Sequence, residues 1–230
     1  MNFLQLVQRL HSEACLQGTN APTSVVDQSG MNARLVNWIG TAYEDVQRLH
    51  ESWLFRVGEF SFSTINGTQN YEPTAVSIND LANWKYDPDP NNLSGIRLYS
   101  SETDEEDLIY LPWDDFRATY KFGSFRFQTT RPTIFSIKPD MSMDLWAIPD
   151  AVYTVNGEYI KTVDSLSGNT DTPIIPADHH MVIVWKALMF YGAFEGAPEA
   201  YAHGEKEYRD AVAKLKLNQL PRTVYGSPLV

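Results

Sequence analysis

The spacing of apolar residues changes twice along this chain, and that change limits the folds open to it. Up to Trp53, and again from Val182, apolar residues recur every three or four positions, as on a helix with one buried face. Between them, from Gly58 to about Lys161, short stretches alternate apolar with polar residues, as strands do. Helices at both ends of a sequence and strands in the middle define an α+β protein. The expected arrangement is a bundle of N-terminal and C-terminal helices, with an antiparallel β-rich domain inserted between them. The pattern divides the chain into N-terminal helices (1–56), a β-rich insert with one short helix (57–163), a C-terminal helical hairpin (164–218) and an extended tail (219–230).

Phe3, Leu6, Val7, Leu10 and Ala14 share one helical face, and Gly18 can end that helix. A loop follows to Gly30. Ser29 or Asn32 can then cap a second helix whose apolar positions Leu35, Trp38, Ile39, Ala42, Tyr43, Val46, Leu49 and Trp53 predict a length of about 35 Å. Beyond a polar linker from Asp164 to Pro176, the face Val182, Trp185, Leu188, Met189 and Ala193 predicts another helix, with Ala177 and Asp178 near its start. Gly196-Ala197-Pro198 breaks it, with Pro198 suited to the first turn of a last helix that runs to about Asn218.

In the middle, Phe60 to Ile65 and Thr68 to Glu72 flank Asn66-Gly67, a pair that tolerates positive φ and predicts a two-residue hairpin. Further strands are predicted near Leu81 to Tyr86, Ile96 to Tyr99, Leu108 to Leu111, Thr133 to Ile137, Met143 to Ile148 and Val152 to Lys161, and a short helix at Trp113 to Tyr120 after Pro112.

Charge and cysteine content narrow the function. A net charge of −11, with no stripe of Lys and Arg, argues against gripping phosphate backbones, although DNA can slide past such a surface without sticking. Cys15 is the one cysteine, so neither an intrachain disulfide nor a multi-thiolate metal site can form within one chain. It is expected to be a half-buried structural thiol. No stretch is long enough to span a membrane, and the polar residues among Met1 to Arg9 do not resemble a signal peptide. The sequons at Asn66 and Asn92 are accordingly expected to stay unmodified.

Templates for catalysis fail: the chain has no Gly-rich phosphate loop, no Gly-x-Ser-x-Gly elbow and no His-Glu-x-x-His helix. No catalytic, cofactor or metal-binding residue is therefore assigned. Adjacent His179 and His180 diverge by about 100° on a helix and cannot chelate one ion together. The row Glu199, His203 and Glu207 reads as a solvated helix face. Asp87, Asp89 and Asn91 imitate the start of a calcium loop, but Asn92 stands where Gly is needed and Leu98 where the closing Glu belongs, which leaves a proline-stiffened turn. The run Glu102, Asp104, Glu105, Glu106 and Asp107 reads as a hairpin tip kept in water, with pairing to basic residues of a partner subunit as the alternative.

The opening Phe3-Leu4-Gln5-Leu6-Val7-Gln8-Arg9-Leu10, then Ala33-Arg34-Leu35-Val36-Asn37-Trp38-Ile39 with Ala42-Tyr43, and Val46-Gln47-Arg48-Leu49-His50 ending in Trp53, resemble the head-to-tail adaptor proteins of tailed bacteriophages. Trp113-Asp114-Asp115-Phe116-Arg117, Arg131-Pro132, Val152 to Tyr159, Asp171-Thr172-Pro173 to Pro176, Tyr191-Gly192-Ala193 and Ala200-Tyr201 with Gly204 and Tyr208 follow in the same order, so that the resemblance covers nearly the whole chain. It implies a homo-oligomeric ring, commonly a dodecamer, beneath the portal protein at the head-tail junction of the virion. The ring joins the capsid to the next tail or neck protein and lines the DNA channel, with no cofactor and no specific hold on DNA. It also implies assembly in the host cytoplasm and a C-terminal tail that docks on the portal, for which Leu220, Tyr225, Leu229 and Val230 are the anchor residues. A tail from Asn218 to Val230 reaches about 40 Å when extended.

Two other readings compete. A glycan-binding or glycan-cleaving virion module would show exposed aromatics flanking two carboxylates in a cleft. An acidic mimic of DNA fits poorly with so many apolar seam positions.

Overall fold

A computed structural model describes residues 1–16, 20–101 and 103–221. In chain order the elements are α1 (Phe3–Glu13), α2 (Gly30–Arg48), β1 (Val57–Ser63), β2 (Asn70–Tyr71), β3 (Leu81–Lys85), β4 (Arg97–Tyr99), β5 (Glu106–Asp107) and β6 (Ile109–Tyr110). They continue with α3 (Trp113–Tyr120), β7 (Ile134–Ile137), β8 (Met143–Trp146), β9 (Thr154–Lys161), α4 (Met181–Glu195) and α5 (Pro198–Gln219). The fold is α+β, as expected. The chain forms two compact units, one from Met1–Arg56 with Val163–Val230 and the other from Val57–Thr162.

In the helical unit α4 is the central element. Its sequence MVIVWKALMFYGAF is apolar on nearly every side, the signature of a helix enclosed by others, and it packs against α1, α2 and α5. Phe3, Leu6, Val7 and Leu10 of α1, Leu35, Ile39 and Val46 of α2, and Val182, Ile183 and Leu188 of α4 are buried in one core. A capping box starts α1: the Gln5 N–H donates to Asn2 Oδ1 at 2.9 Å, and the Asn2 N–H to Gln5 Oε1 at 3.0 Å. The helix ends at Glu13, and Gly18, its predicted terminator, lies outside the described residues. Ser29 takes the N-cap position of α2, but its side chain makes no capping bond.

The second helix is shorter than predicted, ending at Arg48 instead of Trp53 and spanning about 28 Å. Trp53 is still fully buried, but it reaches the core by folding back. Its indole N–H donates to the Val46 carbonyl at 3.2 Å and the Arg56 guanidinium donates to the Gln47 carbonyl at 3.3 Å. These side chains satisfy carbonyls that the missing turn would have used. At the other end of the unit, Gly196 at φ +64 closes α4, and Pro198 opens α5 in its first turn.

The strand-rich unit contains two sheets. In the first, β1 pairs along its whole length with β9, from Val57↔Ile160 to Ser63↔Thr154. The other edge of β9 is shared: β4 pairs with Thr154 to Asn156 and β3 with Glu158 to Lys161, and the two part at Gly157. A Cβ on Gly157 would stand 3.0 Å from the Phe60 ring, so the bare backbone lets that ring pack against β9. The second sheet runs β2-β8-β7-β6, with β6 and β7 parallel. Phe60, Phe62, Trp84, Leu98, Phe135, Leu145 and Val155 join both sheets in one core.

The hairpin predicted at Asn66-Gly67 does not form. β1 pairs with β9, and Asn70–Tyr71 pairs with β8 in the other sheet. The turn exists, closed by the Thr68 N–H on the Ile65 carbonyl at 2.9 Å, but only Gly67 has positive φ, so the backbone does not take the twist that returns a strand alongside itself. In place of a ladder, the Tyr71 hydroxyl donates to the Thr68 carbonyl at 2.8 Å and accepts from the Ile65 N–H at 3.1 Å. The long pairing with β9 outweighs the local turn signal.

Candidate interaction surfaces

Several of the residues that sequence singles out for possible chemistry are engaged in structural contacts. His180 is buried, its Nε2–H donating to the Ile175 carbonyl at 2.9 Å and its Nδ1 accepting from the Met1 amino group at 2.7 Å. Burial pushes its pKa below the ordinary 6.5. His179 sits outside that arrangement, in a 3₁₀ turn at Ala177–His179. On α5, His203 lies edge-on to the Trp185 ring at 5.4 Å, which ties the middle of the Glu199, His203, Glu207 row to the neighbouring helix.

Asp87, Asp89 and Asn91 spend their oxygens on their own turn. Asp87 accepts the Asp89 N–H and Asp89 the Asn91 N–H, both at 2.9 Å, and Asn92 donates to Asp87 at 3.0 Å. Those bonds from Asn91 hold the Asp89 carboxyl below its ordinary range. Among the described residues no group of three or more His, Cys, Asp or Glu could hold a metal ion.

The described residues of the acidic run stay at the surface, as its composition predicts, but its carboxylates are also bonded within the chain. Asp104 Oδ2 lies 2.8 Å from Arg131 Nη1, Glu106 pairs with Arg131 Nε at 3.5 Å, and Glu105 pairs with Arg97 at 3.5 Å. Asp107 accepts the Ser94 N–H at 2.6 Å and the Ser94 hydroxyl at 2.7 Å. A sequence window shows a block of like charge, but the cations that neutralise it come from β4 and from the approach to β7. Glu102 lies outside the described residues.

Cys15 also departs from expectation. It is exposed, in the left-handed region at φ 49, just beyond the last turn of α1. The chain has already left the helical path there.

A groove of about 1060 Å³ opens on the outer face of the first sheet, where Glu59 stands directly across from Glu158. Glu158 is held by Lys85 at 2.5 Å. The rings beside the groove belong to the core: Phe60 packs on Trp84 at 4.9 Å, and Tyr86 on Tyr110 at 4.4 Å. Exposed aromatics flanking a carboxylate pair, the feature that would favour the glycan reading, are not what this groove presents.

The four proposed anchors of the tail are not brought together among the described residues. Leu220 is half-buried against the helical core, with its N–H on the Lys216 carbonyl at 3.1 Å. Tyr225, Leu229 and Val230 lie outside the described residues.

Sequence reasoning missed the most conspicuous surface. After α3, the rings of Phe122, Phe125 and Phe127 are exposed, with Arg126 over the Phe127 ring. The sequence signal was there in Phe122-Gly123-Ser124-Phe125-Arg126-Phe127, three aromatics without a helical period or a sustained strand alternation, between two elements that have one.

The chain thus shows two compact units, many polar side chains bonded internally and exposed aromatic rings after α3. A family model described as SU10 adaptor protein matches residues 1–230, and the chain belongs to that family of phage head-to-tail adaptors. It is a phage structural adaptor and a virion component, acting on other virion proteins. No curated protein matches the chain. Among the described residues no helix is long and apolar enough to cross a membrane.

Proposed function

We propose that copies of this chain form a ring, with a dodecamer as the expected size, beneath the portal protein and join it to the next tail or neck protein. In this reading the ring surrounds the DNA exit channel and works without catalysis. The observation that carries it is the match of the adaptor family over residues 1–230. The charge of −11 supports it, because DNA that must move through a channel gains from walls that do not bind its phosphates.

The segment 219–230 is the proposed portal-docking tail, with Leu220 at its root and Tyr225, Leu229 and Val230 as the far anchors. Leu220 is already seated against the helical core, so α5 and the tail meet at a fixed point.

Light scattering of the chain alone and mixed with its portal tests the ring. A multi-copy mass with portal present is the expected result, and a persistent monomer in both samples overturns the reading. Truncation after Pro221 tests the tail: portal binding should weaken at least tenfold, and unchanged binding rules the tail out as the anchor.

A further inference from the structure

Phe122, Phe125 and Phe127 are 57%, 51% and 70% exposed. Large apolar rings grouped on a surface mark contact sites. The segment that carries them is also firmly held. The Trp146 indole N–H donates to the Phe125 carbonyl at 3.1 Å, and Tyr120 stacks on Trp146 at 4.1 Å. The Ile148 N–H bonds the Gln128 carbonyl, and the Thr130 N–H bonds the Ile148 carbonyl, each at 3.0 Å. A surface already fixed in one conformation loses little freedom on docking.

Charge indicates what docks there. From Val57 to Thr162 the chain has sixteen acidic and eight basic residues, a net of −8. Lys85, Arg97, Lys121, Arg131 and Lys138 each have a carboxylate within ion-pair distance. Arg117 and Arg126 form no ion pair among the described residues, and Arg126 lies over the Phe127 ring at 4.7 Å. The charge that lies against these rings, Arg126, is thus opposite in sign to the unit that bears it, and aromatic residues with arginine are the types that anchor protein interfaces.

We propose that Phe122, Phe125 and Phe127, with Arg126, form a docking knob that seats on the acidic strand-rich unit of a second copy of this chain. The contact is head to tail, knob on one copy and acidic surface on the next, the kind of interface that closes into a ring. The inference deepens the ring reading and rests on it. Nucleic acid fits less well, since two free cations within a unit of net −8 make a poor phosphate-binding surface.

A photo-reactive benzoylphenylalanine at position 127 of the full chain, in a mixture of isotopically light and heavy copies assembled with portal, tests this directly. The expected product is a light-heavy cross-link that maps to an acidic stretch of residues 57–162 on the other copy. Cross-links confined to the same chain, or running only to portal, tail protein or DNA while a multi-copy assembly is present, overturn the knob and leave the ring intact. Should light scattering show only monomer with portal present, the ring falls and the knob with it. As a second arm, the double variant Arg126→Glu and Phe127→Ser should weaken association between copies at least tenfold with an unchanged circular dichroism spectrum. Association as tight as the parent's overturns the proposal.

Discussion

Arg131 holds Asp104 at both ends of the residue: Nη1 lies 2.8 Å from the Oδ2 carboxylate oxygen, and Nη2 donates to the Asp104 carbonyl and, at 3.1 Å, to that of Leu98. The loop between β4 and β5 is therefore fastened to the segment that leads into β7. Arg131→Ala should lower the thermal midpoint of the strand-rich unit by about 5 °C, because two carbonyls and a carboxylate lose their donor together. A melting curve unchanged from the parent would show that the loop does not need this tie.

The same site predicts an acid response. Bonds from the Ser100 hydroxyl and the Ser101 N–H, with Arg131 adding to them, hold the Asp104 carboxyl well below its ordinary 3.8. Such a group binds fewer protons folded than unfolded. Its contribution is complete above that ordinary value and is lost as pH falls toward the depressed one. Asp104→Asn should therefore flatten the fall in stability below about pH 4, measured as the urea midpoint against pH. An identical acid limb in the variant would assign that fall to other carboxylates.

The elements legible in the sequence are those whose signal lies within one window. The period of α4, Pro198 at the start of α5, and the Pro112 boundary before α3 are local facts and the helices form there. Misread features depend on side-chain and strand partners that no periodicity reports. The Asn66-Gly67 turn is overruled by β9, some ninety residues on, and the last turn of α2 is replaced by bonds from Trp53 and Arg56. The ion pairs of the acidic run were not legible because Arg131 stands outside its window. The phenylalanine knob was passed over for a related reason: exposure is decided by the surrounding fold, and no spacing rule reports it. Resemblance identified the adaptor family where motif chemistry offered nothing.

Close approach of two helices gives a sharper prediction. A Cβ on Gly192 would stand 2.7 Å from the Tyr201 backbone nitrogen and 2.9 Å from its Cα, and neither neighbour is a flexible side chain that can swing aside. Gly192→Ala should destabilise the α4–α5 hairpin by about 2–3 kcal/mol, as overpacking does. Gly196→Ala is a useful contrast: there the strain comes from φ +64, with open space around the position, and the cost should be nearer 1 kcal/mol. Equal losses in chemical denaturation would contradict this account of Gly192.

Tyr43 ties α2 to the linker that precedes α4. Its hydroxyl donates to Asp164 Oδ2 at 2.6 Å and accepts from the Ile174 N–H at 3.0 Å, while Gln47 donates to the Asp164 carbonyl and accepts its N–H. Burial, reinforced by Asp164, pushes the Tyr43 pKa far above the ordinary phenol value, so it remains a donor at any working pH. Tyr43→Phe keeps the ring but strands an N–H and a carboxylate oxygen, and should cost about 1–2 kcal/mol. The clearest readout is faster amide exchange at Ile174, and unchanged protection there would refute the tie.

His180 makes the helical unit sensitive to mild acid. The imidazole is enclosed where the Met1 amino group and the Ile175 carbonyl meet it, and burial lowers its pKa from 6.5, with the positive amino group acting in the same direction. Below pH 6.5 the unfolded chain takes up a proton that the folded chain refuses, so stability falls as pH falls, by at most about 1.4 kcal/mol per pH unit until the folded pKa is passed. Above that ordinary value the group contributes no pH dependence, because it is neutral in both states. The expected signature is a loss of amide protection along α4 between pH 7 and pH 5.5, with the strand-rich unit unchanged over the same range. His180→Gln can still donate to the Ile175 carbonyl but cannot titrate, so it should abolish that slope even if it lowers stability at pH 7. A slope that survives in His180→Gln would place the acid sensitivity elsewhere in the helices.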